Sequence, residues 1–105
     1  MKRGDIVLVS LEAVAGKVGK VARPCAVLSP DEMNDHLATV IVAPLSTQSQ
    51  AAPFHVEISH AGKKGWLLLE QCRAIDKSQG IRKLGTLSPK ALGSALKILQ
   101  EAFAE

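Results

Sequence analysis

The chain reads as an α+β domain, mainly β: a compact, strongly bent antiparallel sheet or small barrel closed by a C-terminal helix. Three observations predict this. Apolar runs of strand length, separated by turn-forming residues, fill the first three quarters of the sequence. At Ser88-Pro89 the pattern changes once, to the three- and four-residue spacing of an amphipathic helix. The 105 residues are 47% hydrophobic but only 3% aromatic, so the core is aliphatic. That length suits one domain over 1–105, able to bury a core without a metal or disulfide.

The elements follow in order. "DIVLVSL" (5–11), "CAVLS" (25–29) and "ATVIVAPL" (38–45) predict largely buried strands. "FHVEIS" (54–59) alternates, which sets Phe54, Val56 and Ile58 on a core face and His55, Glu57 and Ser59 on the other. Gly62 and Gly65 around Lys63-Lys64 predict a turn. "GWLLLEQCRAID" (65–76) starts wholly apolar and becomes polar, as a strand does on leaving a core, and a shorter strand follows around "KLGTLS" (83–88). Ser88 is a natural N-cap and Pro89 a natural first helical residue. Leu92, Leu96, Leu99 and Phe103 then form one apolar stripe, widened by Ala91, Ala95 and Ala102, that predicts packing against the sheet. Two connections stand beside ends of buried strands: "EAVAGKVGKVA" (12–22), with Gly16, Gly19, Lys17 and Lys20, and "STQSQAAP" (46–53). The first is expected to be a mobile loop that closes over a ligand or is displaced by a protein partner.

Composition narrows the function classes. A net charge of +3 permits a polyanionic partner without requiring one. The chain has no apolar stretch of membrane-spanning length, and its first residues lack the length and cleavage site of a signal peptide. A soluble, cytoplasmic protein with no membrane association is expected. Cys25 and Cys72 have no second Cys or His at ligand spacing, which suits a reducing compartment. Neither a metal site nor a cofactor is expected, since nothing matches a phosphate-binding loop, a dinucleotide fingerprint or a metal-ligand cluster.

The candidate functional residues are few. Arg23 precedes Pro24, which locks its own φ and biases Arg23 to an extended conformation. A guanidinium held in this way suits a phosphate that gains charge in a transition state, although a surface cation or an ion pair fits the same pattern. Ser46 and Thr47 end a strand, where hydroxyls cap a turn or, beside an arginine, donate to a phosphate oxygen. Glu70 follows an apolar run, where half-burial moves a carboxyl toward proton-transfer chemistry; an ion pair with Arg73 or Lys17 is the competing reading. His36 in a loop, His55 on the outward face of a strand and His60 in a turn read as scattered and solvated. Lys77, Arg82 and Lys83 read as a solvated basic patch, and Trp66 as core.

Four motifs in order carry a resemblance. "RGDIVLVSL", "G…RPCAVLSP…N", "VAPLSTQ…PF" and "G…EQCRAID" cover residues 3 to about 76 and resemble the MazF/PemK/Kid family of toxin endoribonucleases. The resemblance implies the toxin of a type II toxin–antitoxin module and the SH3-like fold. It implies a homodimer, and metal-independent cleavage of single-stranded mRNA in which the 2′-hydroxyl attacks the adjacent phosphate. It also implies a cognate antitoxin that occupies the RNA site.

By position, Arg23 matches the arginine that stabilises the phosphorane, Ser46 a residue that is usually threonine, and Glu70-Gln71 a pair usually read as Asp-Gln, whose carboxylate is a proposed general base. The resemblance thus implies Arg23, Ser46 and Glu70 as the catalytic set, with Lys17, Lys20, Thr47, Gln48, Gln71 and Arg73 contacting RNA. Lys17 and Leu68 stand where Kid-type members carry a histidine and an arginine, so the MazF-type pair of arginine and hydroxyl is what the sequence retains. A second reading is a non-catalytic, CcdB-like toxin that binds DNA gyrase, or a degenerate member that keeps only antitoxin binding. CcdB-like proteins lack the "RP" and "STQ" motifs present here.

Overall fold

The computed structural model describes residues 1–12 and 20–104, with the backbone alone at Glu12 and Lys20. The expected fold is the one that forms. Among the described residues, seven strands make one curled antiparallel sheet: β1 (Asp5–Glu12), β2 (Lys20–Val27), β3 (Thr39–Ser46), β4 (His55–His60), β5 (Lys63–Leu68), β6 (Arg73–Asp76) and β7 (Gly80–Thr86). The strand order is β4-β5-β3-β2-β1-β7, with β6 lying against β3. Two helices, α1 (Asp31–His36) and α2 (Pro89–Ala102), complete it. No helix among the described residues is long and apolar enough to cross a membrane.

Both faces of the sheet are apolar, because successive side chains in its central strands are buried on opposite sides. One cluster combines Ile6, Ala26, Ala43, Leu45, Val56, Ile58 and Leu67 with Ala91 and Ala95 of α2. The second combines Val7, Val9, Leu11, Cys25, Val27, Val40, Val42 and Ile75 on the opposite face. This two-sided burial is why "DIVLVSL" and "TVIVAPL" read as continuous apolar runs rather than as alternation.

Several expected boundaries move, each for a local reason. β2 begins at Lys20, five residues before the expected start at Cys25, because β1 pairs with it as far back as Glu12↔Lys20. Arg23 therefore lies inside a strand, opposite Val9, and not at the lip of one. The β4–β5 turn is Ala61-Gly62, with φ of 53° and 77°, and Lys63-Lys64 already belong to β5. Positive φ at both central residues is the hairpin turn whose twist matches that of paired strands. The run 65–76 is not one strand: a 3-10 turn (Leu69–Gln71) separates β5 from β6, and the Leu69 amide donates to the Phe54 carbonyl at 3.0 Å. Three consecutive buried residues, Leu67, Leu68 and Leu69, mark this corner.

α1 was not expected from periodicity. It follows Pro30 and buries Asn34, whose amide nitrogen donates to the Ser29 carbonyl at 2.9 Å, while the Ser29 hydroxyl accepts from the Ile41 amide at 2.9 Å. The asparagine of the "RPCAVLSP…N" motif is thus a structural residue, and His36 sits on this helix rather than in a loop. α2 starts as expected, with the Ser88 hydroxyl accepting from the Ala91 amide at 3.1 Å and Pro89 following it. Its buried line differs: Ala91 and Ala95 lie deepest, Leu92 and Leu99 flank them, and Phe103 is 82% exposed. Small side chains let the helix approach the sheet closely. Phe54 is likewise 42% exposed, since it precedes β4 and escapes that strand's alternation.

Candidate functional site

The site begins where a ladder stops. β2 and β3 pair only through Cys25↔Pro44, Ala26↔Ala43 and Val27↔Val42. Carried on by two residues, that register sets Arg23 opposite Ser46. Pro24 and Pro44 supply no backbone N–H to continue it. Beyond Pro44, β3 turns to β5 instead, pairing Leu45↔Leu67 and Ser46↔Trp66. The two strands part, and a cleft of about 420 Å³ opens between Arg23 and Ser46.

Pro24, Leu45 and Ile58 give the cleft apolar walls, while Arg23, Ser46, Thr47, Gln48, His60 and Lys63 supply its polar groups. Arg23 and Lys63 are its charged residues, and no carboxylate lines it among the described residues. That combination favours an anion with an attached planar or apolar group. The Ser46 hydroxyl accepts a hydrogen bond from the Gln48 amide at 3.1 Å, so its own proton remains free to donate. Gly65 makes the tight fit of β5 under this turn possible: a methyl group there would lie 3.2 Å from the Ser46 carbonyl oxygen.

His60 was missed by the sequence reading, which placed it in a solvated turn. It is the last residue of β4, pairs with Lys63 across the hairpin, and reaches the cleft with it. Gly85 of β7 accommodates its ring, for a methyl group on Gly85 would lie 3.1 Å from Cε1 and 3.3 Å from Nδ1. This contact also brings the β4–β5 hairpin against the far edge of the sheet and closes the curl. The Ala-Gly turn was the available signal, because two residues between alternating runs make His60 and Lys63 the closing pair.

The remaining candidates are placed elsewhere. Glu70 and Gln71 lie on the 3-10 turn, and Glu70 borders a separate apolar cavity beside Phe54, Leu99 and Phe103. The structure does not bring the Glu70 carboxylate to the cleft, and among the described residues its ion-pair partner is His55 rather than Arg73. It accepts from His55 Nε2 at 2.7 Å, while Nδ1 of the same ring lies 2.8 Å from the Gln50 carbonyl oxygen. Both partners are acceptors, so this geometry requires the imidazolium with two protons. The Gln50 carbonyl first, and then Glu70, raise the His55 pKa above its ordinary 6.5. His55 thereby ties the segment after Ser46 to the 3-10 turn.

Arg73 heads β6, opposite Val42, on the face that also carries Val27, Cys25 and Arg23. Burial pushes the Cys25 thiol up to about 11, with the fields of Arg23 and Arg73 pulling the other way. Both guanidiniums thus act on one side of the sheet. Lys17 lies outside the described residues, as do the Lys20 side chain and the loop with Gly16 and Gly19. Lys77 follows β6 in a second 3-10 turn, Arg82 and Lys83 are on β7, and Lys83 pairs with Asp5 at 3.3 Å.

A cation facing a hydroxyl across a split ladder, on a curled sheet with one C-terminal helix, can be compared with known proteins. The profile of the PemK-like, MazF-like toxins of type II toxin–antitoxin systems matches residues 2–103. The chain belongs to that family. It is 37% identical over 98 residues to the endoribonuclease MazF of Staphylococcus saprophyticus, covering 88% of this chain and 82% of that protein. It is 35% identical over 111 residues to the endoribonuclease EndoA of Bacillus subtilis, covering 99% and 95%. The crystal structure of MazE–MazF (form II) from Deinococcus radiodurans aligns with a TM-score of 0.82 at 25% identity, over 97% of this chain and 94% of that one. A mycobacterial endoribonuclease in complex with its cognate antitoxin has the same fold, with a TM-score of 0.79 at 20% identity over 97% and 93%.

Proposed function

We propose that this MazF-type toxin is an endoribonuclease that cleaves single-stranded mRNA without a metal ion, and that the cleft between Arg23 and Ser46 is where it does so. The placement of Arg23 across the split β2–β3 ladder from Ser46 carries the reading. A phosphodiester seated between them meets a permanent cation on one side and hydroxyl donors on the other. The 2′-hydroxyl attacks the adjacent phosphorus, the bond to the 5′-oxygen breaks, and a 2′,3′-cyclic phosphate and a 5′-hydroxyl result. Arg23 holds the charge that accumulates on the non-bridging oxygens, and Ser46 and Thr47 donate to the same oxygens. Strand backbone and two prolines fix Arg23, so little reorganisation accompanies the reaction.

Gln48 and Lys63 contact the nucleotides at the scissile step, and Arg73, on the Arg23 side of the sheet, extends the path for the phosphate backbone. Gln71 and the loop lysines Lys17 and Lys20 are assigned to the flanking RNA on the resemblance alone. Glu70 acts through His55, holding the segment that carries Thr47 and Gln48. The partner that silences the toxin is its cognate antitoxin, whose acidic segment suits a cleft that carries two cations and no carboxylate among the described residues. The family likeness also supports a homodimer, and light scattering on the purified protein tests it.

The test is incubation of the folded protein with a long single-stranded RNA in the presence of EDTA, beside Arg23→Ala. Discrete fragments with cyclic-phosphate ends are expected from the wild type, with kcat lowered on the order of 10²- to 10³-fold in the variant. Intact RNA in the wild-type reaction overturns the reading and turns attention to a CcdB-like toxin that acts by protein binding.

A further inference from the structure

The proposed reaction needs a group to take the proton from the attacking 2′-hydroxyl, and the carboxylate that the resemblance offers, Glu70, is bound to His55 outside the cleft. Among the described side chains that line the cleft, Arg23 has no lone pair to accept with and stays protonated. Ser46 and Thr47 are hydroxyls, and Gln48 is an amide. His60 alone is a side chain of the type that takes up and releases a proton near neutral pH.

Three observations single out its imidazole. His60 is half-buried and lines the same cleft as Arg23 and Ser46. Neither of its ring nitrogens has a hydrogen-bond partner among the described residues, in contrast to His55, whose two nitrogens are both committed. Its position is also set from two sides. The Ala61-Gly62 turn fixes its backbone opposite Lys63, and the bare Cα of Gly85 receives the Nδ1–Cε1 edge of the ring. A histidine kept only for packing would not need an open cleft on its remaining side.

We propose that His60 is a catalytic residue of this toxin, the acceptor of the 2′-hydroxyl proton; this rests on the ribonuclease reading above. The 2′-oxygen passes its proton to the free imidazole nitrogen as its lone pair forms the new bond to phosphorus. The bond from phosphorus to the 5′-oxygen breaks, its electron pair stays on that oxygen, and a proton from solvent water completes the 5′-hydroxyl. The imidazolium then returns its proton to solvent, so the enzyme ends unchanged. Among the described residues, the charged groups lining the cleft with the ring are Arg23 on β2 and Lys63 on β5. On β7, Gly85 and its neighbours Leu84 and Thr86 carry no charge.

The experiment measures kcat against pH on a short RNA for wild type, His60→Gln, His60→Ala and Gly85→Ala, with His36→Gln on α1 as control. Binding is measured separately on the same oligonucleotide with a 2′-deoxy sugar at the scissile step, which cannot react. The expected result is a kcat about 100-fold lower in both His60 variants, with loss of the acidic limb of the pH profile. Binding of the deoxy oligonucleotide stays unchanged, and free imidazole partly restores cleavage by His60→Ala. Gly85→Ala, which shifts the ring by tenths of an ångström without touching Arg23 or Ser46, falls between wild type and His60→Gln. A wild type that cleaves beside a His60→Gln variant that cleaves as fast, with the same pH profile, overturns the assignment and leaves the ribonuclease reading standing. A loss of rate matched by an equal loss of binding also overturns it, making His60 an RNA contact. A wild type that does not cleave overturns both.

Discussion

Replacing Gly65 by alanine separates packing under the site from ordinary glycine effects. On β5, a methyl group at this position would meet the Ser46 carbonyl oxygen at 3.2 Å, its carbon at 3.8 Å and Thr47 Cγ2 at 3.9 Å. Two of these atoms are backbone, so no side-chain rotation relieves the contact. Restoring ordinary separation, roughly 3.5 Å or more, displaces the Ser46 backbone by about 0.3 Å. A misplacement of about 1 Å costs on the order of 10²-fold in rate, so this displacement corresponds to a loss of about fourfold in kcat. Removing a glycine from the unfolded chain contributes about 0.4–1 kcal/mol, against about 1–3 kcal/mol for overpacking, which leaves a net loss near 1 kcal/mol. Gly93 is the internal control: it lies in α2 with nothing within 4 Å of an added methyl group, so Gly93→Ala stabilises by about 1 kcal/mol and leaves kcat unchanged. Thermal unfolding and RNA cleavage on the two variants make the comparison, each kcal/mol moving Tm by about 4–8 °C in opposite directions. A Gly65→Ala protein as stable as Gly93→Ala, with wild-type kcat, would refute the claim that β5 sets the position of Ser46.

Two further outcomes follow from charged groups outside the cleft. Because the folded-state pKa of His55 is raised, its two hydrogen bonds are fully in place below the ordinary value of 6.5 and are lost as pH climbs past it through the elevated folded value. The stability excess of wild type over His55→Gln, read as Tm, therefore shrinks as pH rises through that window; an excess that grew with pH would show that the imidazolium is not the form holding Gln50 and Glu70. Cys25 is 1% exposed and its thiol is pushed up to about 11, whereas Cys72 is half-buried and borders two surface cavities. An alkylating reagent near neutral pH should modify Cys72 in the folded protein and reach Cys25 only after unfolding, as peptide mass mapping would show.

The elements were legible wherever local chemistry decides them. Ser88-Pro89 predicted a cap that forms with a 3.1 Å hydrogen bond, and the aliphatic runs of β1 and β3 predicted burial that both core clusters confirm. Arg23, Ser46 and Thr47 were singled out by residue type and neighbourhood, and Gln48 by the resemblance; all four line one cleft. The misses lie where a distant partner overrides the local pattern. β2 reaches back to Lys20 because β1 pairs with it there, and the run through Glu70 breaks because β3 accepts β5 at one end and β6 at the other. Glu70 leaves the cleft for the same reason, drawn to a histidine fifteen residues earlier.

The sequence by itself determined the strand-rich class, the C-terminal helix, the family and the identity of the cation and hydroxyls, since each depends on periodicity, capping or short motifs read within one segment. Only the tertiary structure decided that the β2–β3 ladder splits just short of Arg23 and Ser46, that the β4–β5 hairpin delivers His60 and Lys63 into the opening, and that Glu70 stays out of it. Those outcomes depend on strand register and on the curl that lays His60 over Gly85. Both come from contacts between residues far apart in the chain, and no local pattern encodes them.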